Sequence, residues 1–315
     1  MHIPWAGMAM QEGLEVSVST IRERLFMERL RLVQPEKAEA LPKMKAKDRA
    51  RYIEDNWKKL FPGPDPALLR VVKGPVQKLV MKGMDGEADE VVHSHLEPQI
   101  KAKMHNTTEL YIIMLRYAYN VKDHTPEEQS RLLLNYYLLL VEGVYTAQVN
   151  LVAYLLTKAG ATYRSSKAMS EHGHQGGSLG MIEEDSLWNK LRFLEENGFG
   201  FIVEACDRQL RNSVAHLDFI VFTNGCVGYG ANQRNSRIMK YEELVHKVEA
   251  LKSISDAMDL AATESVQAWR EEAKRPKPKP AAKKAKEKDP VEILRQAETR
   301  LPKSRKAQGD GEVRL

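Results

Sequence analysis

Two cysteines, Cys206 and Cys226, in 315 residues are too few for a disulfide framework or a cysteine metal cage, and they suit a reducing compartment. No run of the ~20 residues that a membrane-spanning helix needs is free of polar interruption. The densest, residues 132–141, already contains Asn135 and is followed by Glu142, Gln148 and Asn150. A charged n-region followed by an apolar h-region is missing as well, so no secretory signal is expected. The expected location is the cytoplasm, with no membrane attachment. Phosphate-binding glycine loops are missing too. His172 and His174, within the Gly- and Ser-rich stretch 159–180, are two close ligands without a third or fourth. They read as part of a mobile loop rather than a zinc site. Neither metal nor cofactor is expected.

What is present is a chain able to build a helical core. Hydrophobic residues make up 43% of it, enough for one large domain or two modest ones. The net charge of +5 is unevenly spread: residues 274–315 hold fourteen Lys/Arg against six acids, which leaves the rest slightly acidic. That tail alternates Lys and Pro from Arg275 to Pro280 and then runs through Lys and Ala. It cannot bury enough apolar area to fold alone, so it is expected to be disordered apart from a short helix over 291–300. Lys277, Lys279, Lys283 and Lys284 are its candidates for sequence-independent contacts with nucleic-acid phosphates. A solvated tail, or one that meets an acidic partner, fits the same composition.

Apolar periodicity predicts an all-α bundle. A helix is expected over 21–33, capped by Ser19 or Thr20. Another follows Pro98 to Tyr119, with Leu110, Ile113, Met114 and Tyr117 on its apolar side. Thr125-Pro126-Glu127-Glu128 opens a third, running to about Lys158, because Thr can cap, Pro is tolerated in the first turn and the glutamates suit the dipole. Residues 67–84 read as a helix or strand pair interrupted at Gly74-Pro75. Residues 85–90 read as a loop, dividing an N-terminal helical region (1–90) from a helical domain (91–273), which the tail (274–315) follows. A helix over 181–196 is stopped by Asn197-Gly198. The last, from Tyr241 to about Ala273, has Leu244, Val248, Leu251, Ile254, Met258 and Ala261 at core spacing. Between those two, Asn224-Gly225 flanked by apolar runs is a strong hairpin signal and predicts a small β-ribbon.

The residues that carry chemistry are Arg211-Asn212-Ser213-Val214-Ala215-His216. Ile202, Ala205, Cys206, Leu210 and Val214 recur every three to four residues, so the segment from Phe199 reads as a buried helix with the motif in its last turns. Cleaving RNA without a metal requires a group that takes the proton from the ribose 2′-hydroxyl and a fixed cation for the phosphate. His216 titrates near neutral pH and can act as base or acid. Arg211 stays charged and can hold two phosphate oxygens, and the Asn212 amide can orient either partner. A 2′-hydroxyl nucleophile confines such an enzyme to RNA. So short a motif also arises by accident, and an arginine near a helix end with a histidine over its last carbonyls serves structure alone. On one ideal helix Asn212 and His216 share a face, while Arg211 lies about 140° round from His216. Assembling all three therefore requires a second chain or a bent helix end.

Residues 210–219, Leu-Arg-Asn-Ser-Val-Ala-His-Leu-Asp-Phe, resemble the signature of the HEPN superfamily: an Arg, a polar residue and then a His, with four to six residues between Arg and His, at the end of a core helix. The resemblance spans roughly residues 96–272 and includes the long apolar helices before the motif and the ribbon after it. It implies a helical bundle that dimerises so that Arg211, Asn212 and His216 of two chains line one cleft and cleave RNA without a metal. It further implies a toxin or phage-defence effector, with an antitoxin or other regulatory protein as a partner. Some relatives carry Tyr two residues after the His, the target of a modifying partner. Asp218 stands there in this chain, which argues against that form of control. The alternative is a catalytically inert, dimeric binding or scaffold module.

Overall fold

The computed structural model describes residues 12–120, 124–164, 178–230 and 236–275. Among these residues the fold is mostly helical, with one small antiparallel sheet. Buried apolar side chains form two clusters. In the smaller, α1 (Glu12–Val33), α2 (Pro35–Ala40) and α3 (Ala46–Leu60) close over Ile112 and Leu115 of α6 (Glu97–Asn120). Trp57 is its anchor: Phe26 stacks on it at 6.2 Å and the Arg22 guanidinium lies 4.6 Å over the ring. Glu28, 2% exposed, is held by Arg31 at 2.9 Å and Arg116 at 2.6 Å, as a buried carboxylate must be.

The larger cluster surrounds α8 (Thr146–Lys158), which follows α7 (Pro126–Leu140) through a π-helical turn, Val141–Tyr145. Every residue from Ala147 to Leu156 is buried, the condition of a helix enclosed on all sides. The polar residues that interrupt its apolar run bind internally. Gln148 Nε2 donates to Ser255 O at 2.9 Å, the Ser255 hydroxyl returns a bond to Gln148 Oε1 at 2.8 Å, and Asn150 accepts from Lys190 Nζ at 2.9 Å. Residues Pro126–Lys158 are long and apolar enough to cross a membrane by length and composition, yet 72% of their most apolar window is buried in the protein. Packed against α8 are α4 (Pro66–Gly83) and α10 (Leu187–Glu196), with α9 (Leu179–Glu184) alongside. α4 crosses closely, because a Cβ on Gly83 would stand 2.4 Å from Leu155 O. α13 (Tyr241–Lys274) buries Leu244, Val248, Leu251, Ile254, Met258 and Ala261, as its spacing predicts. Its last turn enters a second unit, 272–315, of which residues 276–315 lie outside those described.

Several local expectations are overturned. α1 begins at Glu12, ahead of Ser19 and Thr20, so neither caps it. Instead of an interrupted pair, Pro66–Gly83 is one helix through Gly74-Pro75, since Val72, Val76, Leu79 and Val80 make a continuous buried stripe. The loop expected over 85–90 is α5 (Gly86–Val91): Asp85 caps it by accepting from Ala88 N at 2.7 Å, and Glu87 and Asp89 suit its first turn. In α6 the buried apolar positions are Ile100, Ile112 and Leu115; of the expected side, Leu110 and Met114 pack half-buried on the larger cluster, while Ile113 is 55% exposed, because the N-terminal cluster covers the Ile112 and Leu115 side. The helix expected over 181–196 is two, with Ser186 capping the second. Thr125 caps α7 with Glu128 in a complete capping box, as the sequence predicts. The ribbon gains a strand. β1 (Phe219–Val221) and β2 (Val227–Tyr229) form the Asn224-Gly225 hairpin, with Gly225 at φ 80°, and β3 (Arg237–Met239) adds to it in the order β1-β2-β3.

Candidate active site

The motif does not end a long helix. The chain forms α11 (Gly200–Val203), turns, and starts again as α12 (Arg208–Ala215). Two devices fix the break. Asp207 caps α12, its Oδ1 accepting from Leu210 N at 3.0 Å. The buried Tyr137 hydroxyl of α7 accepts from Asp207 N at 2.9 Å and donates to Asp207 O at 3.2 Å. Leu210, Ser213 and Val214 face the core, and Ser213 Oγ accepts from Gly230 N at 2.9 Å, tying α12 to the sheet. Arg211 and Asn212 are left half-buried on the outer side and His216 exposed.

Arg211 is fixed from two directions. Its Nε donates to Glu142 Oε1 at 2.5 Å and its Nη1 to Asn212 Oδ1 at 2.9 Å. No other hydrogen bond of its side chain is present among the described residues. Glu142 comes from the π-helical turn between α7 and α8, where Gly143 (φ −92°, ψ −106°) leaves helical geometry. Such bulges re-aim side chains and are frequent at functional sites. Glu142 is the only acid between Gln129 and Lys158, the one sequence signal that could have marked it. Cys206 lies close enough to feel both charges, but burial pushes its thiol up to about 11, so it stays protonated and unreactive.

His216 ends α12. Its backbone N–H bonds to Asn212 O at 3.0 Å, Leu217 N to Val214 O at 3.2 Å and Asp218 N to Ser213 O at 2.7 Å, the bond pattern of a Schellman turn. Leu217 takes the left-handed position at φ 57°, usually a glycine's, and is 80% exposed. The His216 ring has no hydrogen-bonding or ionic partner among the described residues. The chain thus joins Arg211 to Asn212 by their side chains, and His216 to Asn212 only through the backbone. Lys277, Lys279, Lys283 and Lys284 lie outside the described residues, as do His172 and His174. Among those described, no group of three or more His, Cys, Asp or Glu is arranged to hold a metal ion. Comparison with family models, curated proteins and solved structures finds no match to this chain.

Proposed function

We propose that the chain is a metal-independent endoribonuclease of HEPN type, acting as a homodimer with its site at Arg211, Asn212 and His216. The observation that carries this reading is Arg211, clamped at Nε by Glu142 and at Nη1 by Asn212 one helical turn from an exposed histidine. A clamped guanidinium is a preorganised cation for charge that gathers on a phosphate. His216 of one copy removes the 2′-hydroxyl proton, the 2′-oxygen attacks phosphorus, and the 5′-oxygen leaves with a proton from the second copy's histidine. The products are a 2′,3′-cyclic phosphate and a 5′-hydroxyl. Two copies are needed because a single α12 does not bring its histidine to its arginine. The basic tail holds RNA nearby, and uncontrolled cleavage arrests growth, the behaviour of a toxin or phage-defence effector under a regulatory partner.

A scaffold module is the second reading, favoured by the exposed Leu217, Ile220 and Ile238 beside the motif. Incubating the purified protein with total RNA in EDTA separates the two. The wild type is expected to leave cyclic phosphate ends, and His216→Ala and Arg211→Ala each to lose about 100-fold or more, the scale of one acid–base group or one charge-stabilising donor. Cleavage that survives in His216→Ala, or that requires added metal, refutes the nuclease reading.

A further inference from the structure

A second π-helical turn, Val92–Leu96, joins α5 to α6 and buries Val92 and Leu96. His95 of that turn stays at the surface, four residues before Gln99 and on the same side of the helix. Glu183 reaches both from α9, which is anchored by the buried Ile182 and by Lys190 Nζ donating to Glu183 O at 3.2 Å. The three side chains converge on one point. His95 Nε2 lies 3.0 Å from Glu183 Oε1, Gln99 Nε2 lies 2.9 Å from His95 Nε2, and Gln99 Nε2 lies 3.0 Å from the same Glu183 oxygen. Hydrogen bonds alone do not satisfy this triangle. A carboxylate oxygen only accepts, and an imidazole nitrogen donates or accepts but never does both. If His95 Nε2 accepts from Gln99, its lone pair faces the Glu183 oxygen at 3.0 Å. If it donates to Glu183, its N–H also faces the Gln99 amino group at 2.9 Å, and turning the amide sets the Gln99 oxygen against the carboxylate instead. With Glu183 as a carboxylate, one edge is mismatched in every arrangement.

We propose that His95, Gln99 and Glu183 bind a divalent transition-metal ion as three adjacent ligands of an octahedral site. A cation among them satisfies all three lone pairs at once, with Gln99 presenting its carbonyl oxygen. Ligands about 2.1 Å from a metal and at right angles stand about 3.0 Å from one another, whereas tetrahedral ones stand about 3.4 Å apart. The edges of the triangle match the face of an octahedron. One imidazole with two oxygens suits Mn²⁺ or Zn²⁺ better than Ca²⁺ or Mg²⁺. His95 and Glu183 are 46% and 26% exposed, so an ion can enter and water can complete its shell. Glu183 stands 84 residues from Gln99 in the chain, which hides the set from any reading of spacing. The site uses none of Arg211, Asn212 or His216 and carries no step of RNA cleavage, so it stands or falls apart from the nuclease reading.

Calorimetric titration of the full chain, stripped with chelator, with Mn²⁺ tests it. Mn²⁺ is expected to saturate one site. His95→Ala, Gln99→Leu and Glu183→Gln should each weaken it by at least about tenfold, the scale on which even an outer-shell partner is felt. His93→Ala, which touches only the neighbouring pair with Glu97 at 3.6 Å, should leave it unchanged. Thermal midpoints of the metal-free variants verify that each is folded. Gln99→Glu replaces a neutral ligand by a charged one and should tighten Mn²⁺ at least tenfold, an effect that a hydrogen-bonding role does not produce. Binding that is undetectable at millimolar Mn²⁺, that is equal in wild type and the three weakening variants, or that Gln99→Glu fails to tighten overturns the proposal and leaves the three residues as a surface hydrogen-bond cluster.

Discussion

Lys190 of α10 and Arg211 of α12 both lie in the field of Glu142, yet they have opposite fates. Lys190 is 2% exposed, with its ammonium bonded to Asn150 Oδ1 at 2.9 Å and to Glu183 O at 3.2 Å. Arg211 is half-exposed, and part of its guanidinium meets no acceptor among the described residues. The first arrangement closes a polar network inside the bundle, where an unmade bond is costly. The second holds a cation in place and leaves donors for an anion from outside. The same division separates two carboxyls. Asp259 is 6% exposed, and burial, with Asp256 nearby, pushes it up to about 7. Glu142 is partly in water and spends its charge on Arg211.

Lys190 gives the largest expected effect. Lys190→Ala strands Asn150 Oδ1 and Glu183 O and leaves a cavity as well, and should cost about 3–5 kcal/mol, whereas Lys190→Met strands the same acceptors but keeps the volume and should cost less. Denaturant midpoints of the two variants check this. Equal and small losses would mean that the network contributes no specific support, and that Lys190 and Arg211 differ only in exposure.

Asp259 gives a smaller effect with a pH signature. Its carboxyl titrates at about 7 in the fold against about 3.9 when unfolded. The folded chain therefore holds the extra proton between those values. The stabilisation is complete below the unfolded pKa and is lost as pH rises through about 7. Asp259→Asn should match the wild type near pH 4 and exceed it by a few kcal/mol above pH 7. Thermal midpoints across that range test the sign, and parallel curves for the two proteins would show that Asp259 is not held protonated.

Much of the frame was legible because it rests on local signals. The Thr125 cap, the Asn224-Gly225 hairpin and the core stripe of α13 each need only neighbouring residues. What was not legible depends on distant partners. Pro75 is tolerated because the stripe it interrupts is buried along its length. Asp207 caps α12 with the help of Tyr137, seventy residues earlier in the chain. At the candidate site, Arg211, Asn212 and His216 could be named from their chemistry and spacing. Glu142 could not, because its role follows from the π-helical turn that aims it, and a helical reading of 126–158 contains no such turn.

Glu142 also supplies the finest test of the comparison. Glu142→Gln preserves the shape of the contact and removes its charge. Since the pair is partly solvated, stability should change by no more than about 1 kcal/mol. Two effects on RNA cleavage then oppose each other. Losing the carboxylate frees positive charge at Arg211 and removes an anion that repels phosphate, which favours binding. It also loosens the guanidinium from the orientation that serves the transition state. The expected outcome is a KM that is unchanged or lower with a kcat about tenfold lower, the mark of an interaction expressed mainly in the transition state. A fall in stability with kcat intact would make Glu142 a structural partner like those of Lys190 and erase the distinction between the two cations. A fall in kcat at constant stability would identify it as the residue that positions Arg211.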